Sequence, residues 1–365
     1  MYRLGRNSEE GEEEEVEGGA TLLGVQGYVS SSQPGCHVAH HQAPWILDSY
    51  PFDPEEYGLE EGSTDVPDII IDPDSRMLSV INADDSVDKS FFITTSHRAL
   101  DASHKPLASG VARGVDRQEK EVVTFVLVAA PQQVLDVCYL ELGDAQANGE
   151  EPVDLYSDIK AVHPHPEPDT WVPSRAYPFP LGGDTPRLCS QGMGGRFTHF
   201  YPGTQHAVDF ECPVGTPVLA LAAGVVRETR QSATAGGIDV RGLFEWNSVT
   251  VLQDDGLLAE YVHILSGSAT VCPGDRVEAG QPLCRSGDVG FCPTPHLHLQ
   301  LQCGEADSAP TVRFALLDCD GKPYFPEAGG WYGPLGESEP PQDPGSGSLT
   351  HTQEGLSCRH GGVTH

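Results

Sequence analysis

With 54 acidic against 21 basic residues, the 365-residue chain carries a formal net charge of −33, which excludes nucleic acid as an electrostatic partner because phosphate is repelled. The length suits two ordinary domains. The longest apolar run, Val122 to Ala130 interrupted by Thr124, falls well short of the roughly 20 residues that span a bilayer.

No apolar stretch follows Met1, so the chain as written reads as soluble, without a signal peptide, and a cytoplasmic address is open to it. Ten cysteines are scattered without a CxxC pair, and no Asn-x-Ser/Thr sequon occurs. Neither a disulfide framework nor glycosylation marks an extracellular protein, and the redox state of the thiols stays open.

In chain order, residues 1–66 read as an acidic disordered arm. Residues 1–72 hold 16 acidic and two basic residues, a net of −14, with Glu12 to Glu15 unbroken, and no period of 2 or 3.6 is sustained there. His37, His40 and His41 fall in this arm and read as an exposed low-complexity patch rather than a metal tract. Residues 67–143 contain β-patterned runs, among them Ser90 to Thr95, Val122 to Val128 and Val134 to Leu142. Polar connectors between them point to a β-sandwich-like module. Residues 144–176 read as a Pro- and acid-rich linker that includes His163 and His165. Residues 177–332 change to short Val-, Leu- and Ala-rich runs between Gly-Pro and Asp-Gly turns, with strands expected at Val218 to Leu221, Val225 to Thr229, Ser248 to Gln253 and Leu257 to Ile264. Residues 333–365, rich in Pro, Gly, Ser and Thr, read as a disordered tail. The fold class expected is all-β in both modules.

The chemistry concentrates in the second module. His296 and His298 stand two apart on a β-patterned run and therefore share one face. His199, His206, Asp209 and His263 precede them, enough imidazole and carboxylate for a zinc centre with histidines to spare. Two neutral imidazoles and one carboxylate leave a tetrahedral ion an open position for water, as a catalytic rather than a structural site requires.

Five ordered segments, Ala207-Val-Asp209-Phe-Glu-Cys-Pro-Val-Gly215-Thr216-Pro217-Val218-Leu-Ala220, Gly224-Val-Val, Tyr261-Val-His263-Ile, Gly274-Asp-Arg-Val-Glu-Ala-Gly280-Gln and Pro295-His-Leu-His298, resemble the LytM/lysostaphin-type zinc metallopeptidases of the M23 peptidase family. The resemblance covers residues 177–332. It implies an antiparallel β-sheet groove holding one Zn²⁺ per chain, with Asp209 and His298 as ligands, and hydrolysis of peptide bonds in peptidoglycan-type or glycine-rich peptides. The family's usual spacing puts the first ligand four residues before the Asp, where Gln205 stands. His199, on a longer loop, is the favoured first ligand and His206, three residues before Asp209, the alternative. His263 and His296 are implied to contact the attacking water and the tetrahedral intermediate; which is the base stays open. Asn247 is implied to cap or line the groove floor, or else to serve a turn. Glycines 215, 224, 274 and 280 are expected at turns needing unusual φ, and Arg313 and Phe314 match a late element without an assigned role.

Two other readings compete. The segment Gly274 to Gln281 also resembles the hairpin of biotinyl and lipoyl carriers, but these need a Lys at the tip and none lies between Ala161 and Gly321. A degenerate M23-like domain that binds peptide or glycan without cutting it is the second. The oligomeric state is not legible.

Overall fold

The computed structural model describes residues 21–22, 29–30, 36–40, 46–59, 66–162, 176–201, 203–304 and 309–341. Among the described residues the structure is nearly all strand, with one four-residue α-turn at Asp144–Ala147 and short 3-10 turns at Pro54–Tyr57 and Val240–Gly242. No helix of the described residues is long and apolar enough to cross a membrane.

The N-terminal module is two sheets around one core. Met77–Asn82, Gln133–Leu140, Asp48–Pro51 and Ile69–Ile71 form one, with Ala99–Leu100 at its side; Lys89–Thr95, Glu119–Ala129, Gly110–Arg113 and Leu155–Ala161 belong to the other. Alternation along the second sheet decides what each face does. Phe91, Ile93, Phe125 and Leu127 point into the module's own core. Phe92, Val126 and Val128 point the other way, where they pack with Phe197, Phe200, Leu243 and Phe291 of the C-terminal module. With both faces covered, the strand reads as the continuous apolar run 122–130 rather than as an alternation.

Three boundaries shift from the sequence reading. Cys36–His40, assigned to the arm, pairs parallel with Thr124 to Val128, and Asp48–Pro51 pairs with Gln133 to Asp136. Leu155–Ala161, assigned to the linker, is an edge strand beside Lys89–Thr95. Gly336–Ser338, assigned to the tail, pairs with Trp331–Gly333. The first three are short segments whose partners lie far along the chain, so local pattern carried little of the signal; Gly336–Ser338 instead closes a local hairpin of only three residues on each side. His163, His165 and His41 lie outside the described residues.

The C-terminal module is built on a nine-stranded sheet running Arg276–Val277, Gly224–Arg230, Ser248–Gln253, Leu258–Val262, His296–Gln302, Val208–Glu211, Arg187–Gln191, Trp331–Gly333 and Gly336–Ser338, antiparallel throughout. Its lower face buries Val208, Phe210, Tyr261, Leu297, Leu299 and Leu301 in one core with Phe314. Gly215, Gly274 and Gly280 have φ of +95°, +95° and +77°, as expected of turns. Gly224 differs: a Cβ there would stand 2.4 Å from the Leu252 carbonyl oxygen, so close strand approach, not φ, requires glycine.

The two modules are joined by a continuous sheet. Gly110–Arg113 pairs with Gly236–Gly237, which in turn pairs with Gly290–Phe291. Removing the Phe92 ring, which packs edge-on to Phe291 with centroids 6.4 Å apart, therefore opens a cavity between modules, and Phe92→Ala is expected to cost about 3–5 kcal/mol. Calorimetry should show one transition moving to lower temperature. A variant whose C-terminal module melts as before would contradict the shared core.

Candidate metal centre and active site

Direct cross-strand partners share a face, and the register sets Asp209 opposite His298 and Glu211 opposite His296, with Val262 opposite His298 on the other side. The upper face of the sheet thus carries Asp209, His296 and His298 in one row. His199 reaches the row from a turn that is fixed by its backbone N–H donating to the Gly195 carbonyl. One ligand atom each from His199, Asp209 and His298 lies within 4.8 Å of the others, and all three residues are buried.

The second polar atom of each side chain is tied elsewhere. His199 Nδ1 is 3.0 Å from the Gly192 carbonyl oxygen, which can only accept, so this nitrogen carries the proton and Nε2 presents a lone pair. Asp209 Oδ2 accepts from Gln191 Nε2 at 2.8 Å. His298 Nε2 is 3.0 Å from Gln300 Oε1, and the Gln300 amide nitrogen donates to Glu260 Oε2 at 2.9 Å. That fixes the amide orientation and makes His298 Nε2 the donor, leaving Nδ1 unprotonated. What remains is His199 Nε2, His298 Nδ1 and Asp209 Oδ1, separated by 3.1 Å, 3.2 Å and 2.9 Å. With both imidazoles neutral, the form in which they ligate a metal, three lone pairs face one another. Asp209 Oδ1, fully buried, makes no hydrogen bond of acceptable geometry. A buried anionic oxygen left so is costly, and a cation at the common point of the three atoms removes the cost. The donor set, two imidazoles and a carboxylate, suits zinc.

The other two histidines complete the row. His296 Nδ1 donates to the Thr294 carbonyl at 2.7 Å, turning Nε2 toward Asp209 Oδ1 at 3.7 Å. His263 Nδ1 donates to the Val289 carbonyl at 2.7 Å, and its ring lies 4.6 Å from that of His296, centroid to centroid. Two-residue alternation groups His263 with Ala259 and Tyr261, yet those side chains face the core. The strand ends at Val262, and His263 adopts φ +61°, which breaks the alternation and brings the ring to the upper face.

Electrostatics follow the packing. Burial alone would raise the Asp209 carboxyl, but His199 and His296 beside it pull it well below the usual range. Burial lowers His199 despite the carboxylate. Burial, with His296 and His298 as neighbours, holds His263 well below the ordinary imidazole value, so it is neutral at neutral pH. Burial also opposes protonation of His296 and His298, yet Cys292 and Asp209 push His296 up to about 10, and Asp209 raises His298.

His206 does not join the row. Its Nδ1 faces the Thr311 carbonyl at 3.0 Å, and the residue precedes the Val208–Glu211 strand in a turn. Asn247, buried, spans the groove's edge: it accepts from the Ala233 N–H and donates to the Ala233 carbonyl as a loop staple. Phe314 is a core residue, and the Arg313 guanidinium stacks 4.3 Å over the Phe325 ring. The nine described cysteines are all free thiols. The groove above the row is walled by Phe197, Tyr201, Leu243, Phe244, Trp246 and Phe291.

Residues 203–310 match the family model for Peptidase family M23, and the chain carries an M23 domain. Over 99 residues it is 35% identical to glycyl-glycine endopeptidase ALE-1 of Staphylococcus capitis, covering 27% of this chain and 24% of that protein. Lysostaphin of Staphylococcus simulans is 34% identical over 99 residues, covering 27% and 18%. The chain thus spans a quarter or less of either relative. Among solved structures, the catalytic domain of the prophage-encoded M23 protein EnpA of Enterococcus faecalis is 26% identical over 37% of this chain and 94% of that one, with a TM-score of 0.29.

Gln191, Gln300 and Glu260 orient the row and were not singled out from sequence. Gln300 had a signal: it continues the two-residue period from His296 and His298. Outer partners of this kind typically contribute 10- to 100-fold to metal affinity, so Gln300→Leu is expected to weaken zinc binding by roughly that factor. Competition titration against a chromophoric chelator checks it, and wild-type affinity would contradict the orienting role.

Proposed function

We propose that the C-terminal module is a zinc-dependent metalloendopeptidase in which His199, Asp209 and His298 hold one Zn²⁺ per chain and His263 and His296 move protons. The observation that carries this reading is the set of three buried lone pairs turned on one point, each oriented by a partner behind it. A zinc ion held there would acidify a bound water and polarise a peptide carbonyl.

The protein's own groups supply the rest. His263 and His296 each donate Nδ1–H to a backbone carbonyl, so each has Nε2 left to exchange a proton with the attacking water, the developing oxyanion or the leaving amine. His263, neutral by burial, starts as an acceptor. His296, with its raised pKa, starts as a donor. Once Asp209's charge is engaged by a cation, its pull on His296 weakens and that ring too moves toward the neutral form. The buried row limits competing water, and the aromatic walls leave a slot suited to an extended chain with small side chains. That slot, and the glycyl-glycine endopeptidase among the relatives, support a glycine-rich or peptidoglycan-type peptide as substrate. The surplus of acidic residues disfavours strongly anionic polymers.

His298→Ala is expected to lose zinc and activity together. His296→Ala and His263→Ala should each retain zinc near one per chain while turnover falls by about 10²- to 10⁴-fold, the usual contribution of a general acid or base. Elemental analysis alongside hydrolysis of a fluorogenic pentaglycine peptide reads both. Equal zinc loss in all three would overturn the roles, and zinc binding without hydrolysis of any glycine-rich peptide would favour a binding module. Acid should inactivate by metal release, because protons compete for His199, His298 and Asp209. Zinc content should therefore fall with activity as pH drops and return with it on neutralisation; activity lost while zinc stays bound would contradict this.

A further inference from the structure

The turn at residues 286–290 is the seat of His263. The Val289 carbonyl takes the His263 Nδ1 proton. Two positions earlier, a Cβ on Gly287 would stand 2.8 Å from the His263 carbonyl oxygen and 2.6 Å from the Leu265 nitrogen, so the turn's backbone lies directly on the backbone of 263–265. Only glycine permits that approach. The position of this turn therefore sets where the His263 ring stands, and with it the left-handed backbone at His263.

The turn is held at three places. Ser286 is fixed by the 213–216 loop, through Gly215 N–H to the Ser286 carbonyl and Ser286 N–H to the Thr216 carbonyl. Gly290 N–H donates to Ala235. Asp288, next to Val289, is held from the other module: Arg113 Nη1 and Nη2 grip its two carboxylate oxygens at 2.9 Å and 2.8 Å. Arg113 Nε donates to the Thr234 carbonyl at 2.7 Å, so the guanidinium clamps both segments that flank the groove on this side. The pair is half-buried. A forked Arg–carboxylate contact fixes geometry more than an ordinary surface pair does. Arg113 itself lies on the strand that pairs with Gly236–Gly237, which places the clamp at the junction of the two modules.

We propose that Arg113, from the N-terminal module, is a positioning residue for His263: by gripping Asp288 it fixes the Val289 carbonyl, and that carbonyl fixes the tautomer and direction of the His263 ring. This rests on the peptidase reading only for its consequence on turnover; the contact itself is a property of the folded chain. The N-terminal module is on this account part of the catalytic unit and not a separable tether. The candidate ligands His199, Asp209 and His298 are oriented separately, by Gly192, Gln191 and Gln300, and the path meets the row only through the His263 ring, 6.2 Å from that of His298.

The test uses the full chain labelled with ¹⁵N-histidine, as wild type, Arg113→Gln, Arg113→Lys, Asp288→Asn and the double variant Arg113→Gln/Asp288→Asn. Long-range ¹H–¹⁵N correlation spectra report the His263 tautomer and the solvent exchange of its Nδ1 proton without any need for hydrolysis. The wild type should show one tautomer with a protected Nδ1 proton. Arg113→Gln and Asp288→Asn should each speed that exchange by about tenfold or more, the double variant no further than either single, and Arg113→Lys should be intermediate. With the pentaglycine peptide, kcat should fall about 10- to 100-fold in the two single variants, the scale of a misplaced catalytic group, while KM and zinc content stay near wild type. Unchanged His263 exchange in Asp288→Asn, which keeps the side chain's shape, would overturn the proposal even if Arg113→Gln does not fold. Additive losses in the double variant would also overturn it, since the two residues would then act separately. If the exchange differences appear but the wild type cleaves no peptide, the positioning contact stands and the peptidase reading falls.

Discussion

Everything at the upper face of the C-terminal sheet depends on three buried donor-set atoms turned on one point. Asp209 Oδ1, His199 Nε2 and His298 Nδ1 lie about a hydrogen-bond length apart, while Gly192, Gln191 and Gln300 occupy the opposite side of each group. Had any of the three outer partners been absent, a ring could turn or an amide could flip and place an N–H in the centre. The outer hydrogen bonds close that route, so the row is ordered for a cation before one arrives. The same face buries many polar side chains, and the oxygen at its centre, Asp209 Oδ1, is left without a hydrogen-bond partner.

The second dependency is between modules. The outward face of the N-terminal sheet supplies Phe92, Val126 and Val128 to a cluster that also holds Phe197, Phe200, Leu243 and Phe291, of which Phe197, Leu243 and Phe291 line the groove. Thr124 and Thr94 add polar contacts to the Ile238 carbonyl. The groove wall between residues 231 and 246 carries the paired strand Gly236–Gly237 and the 3-10 turn Val240–Gly242, and it is held on the N-terminal sheet through that pairing and through Val240 and Leu243. The N-terminal module therefore packs directly on the segments that wall the site.

The clustering of His199, Asp209 and His298 follows in part from period and order. A His-x-His on a strand must put both rings on one face, and an Asp in the right segment pairs with it across the sheet. His199 was preferred to His206 partly because a strand turns residues three apart to opposite faces; in the structure His206 lies in the turn before the strand, where its Nδ1 faces the Thr311 carbonyl. What sequence missed was non-local or irregular. The Cys36–His40 strand pairs with a segment nearly 90 residues away, and five residues of mixed character carry no pattern of their own. His263 was placed on the groove by resemblance while its alternation set pointed to the core. Only the positive φ reconciles the two. Gln191 bonds to Thr198, His199 and Asp209 and Glu260 to Trp246 and Gln300, side-chain contacts that no spacing rule predicts.

The most direct test is anomalous X-ray scattering at the zinc edge from crystals of the full chain grown at neutral pH with zinc supplied. One strong peak per chain, about 2.0–2.2 Å from His199 Nε2, Asp209 Oδ1 and His298 Nδ1 as zinc–nitrogen and zinc–oxygen bonds require, is the expected result. Absence of a peak in this row, or a peak held by His206 in place of His199, would contradict the account.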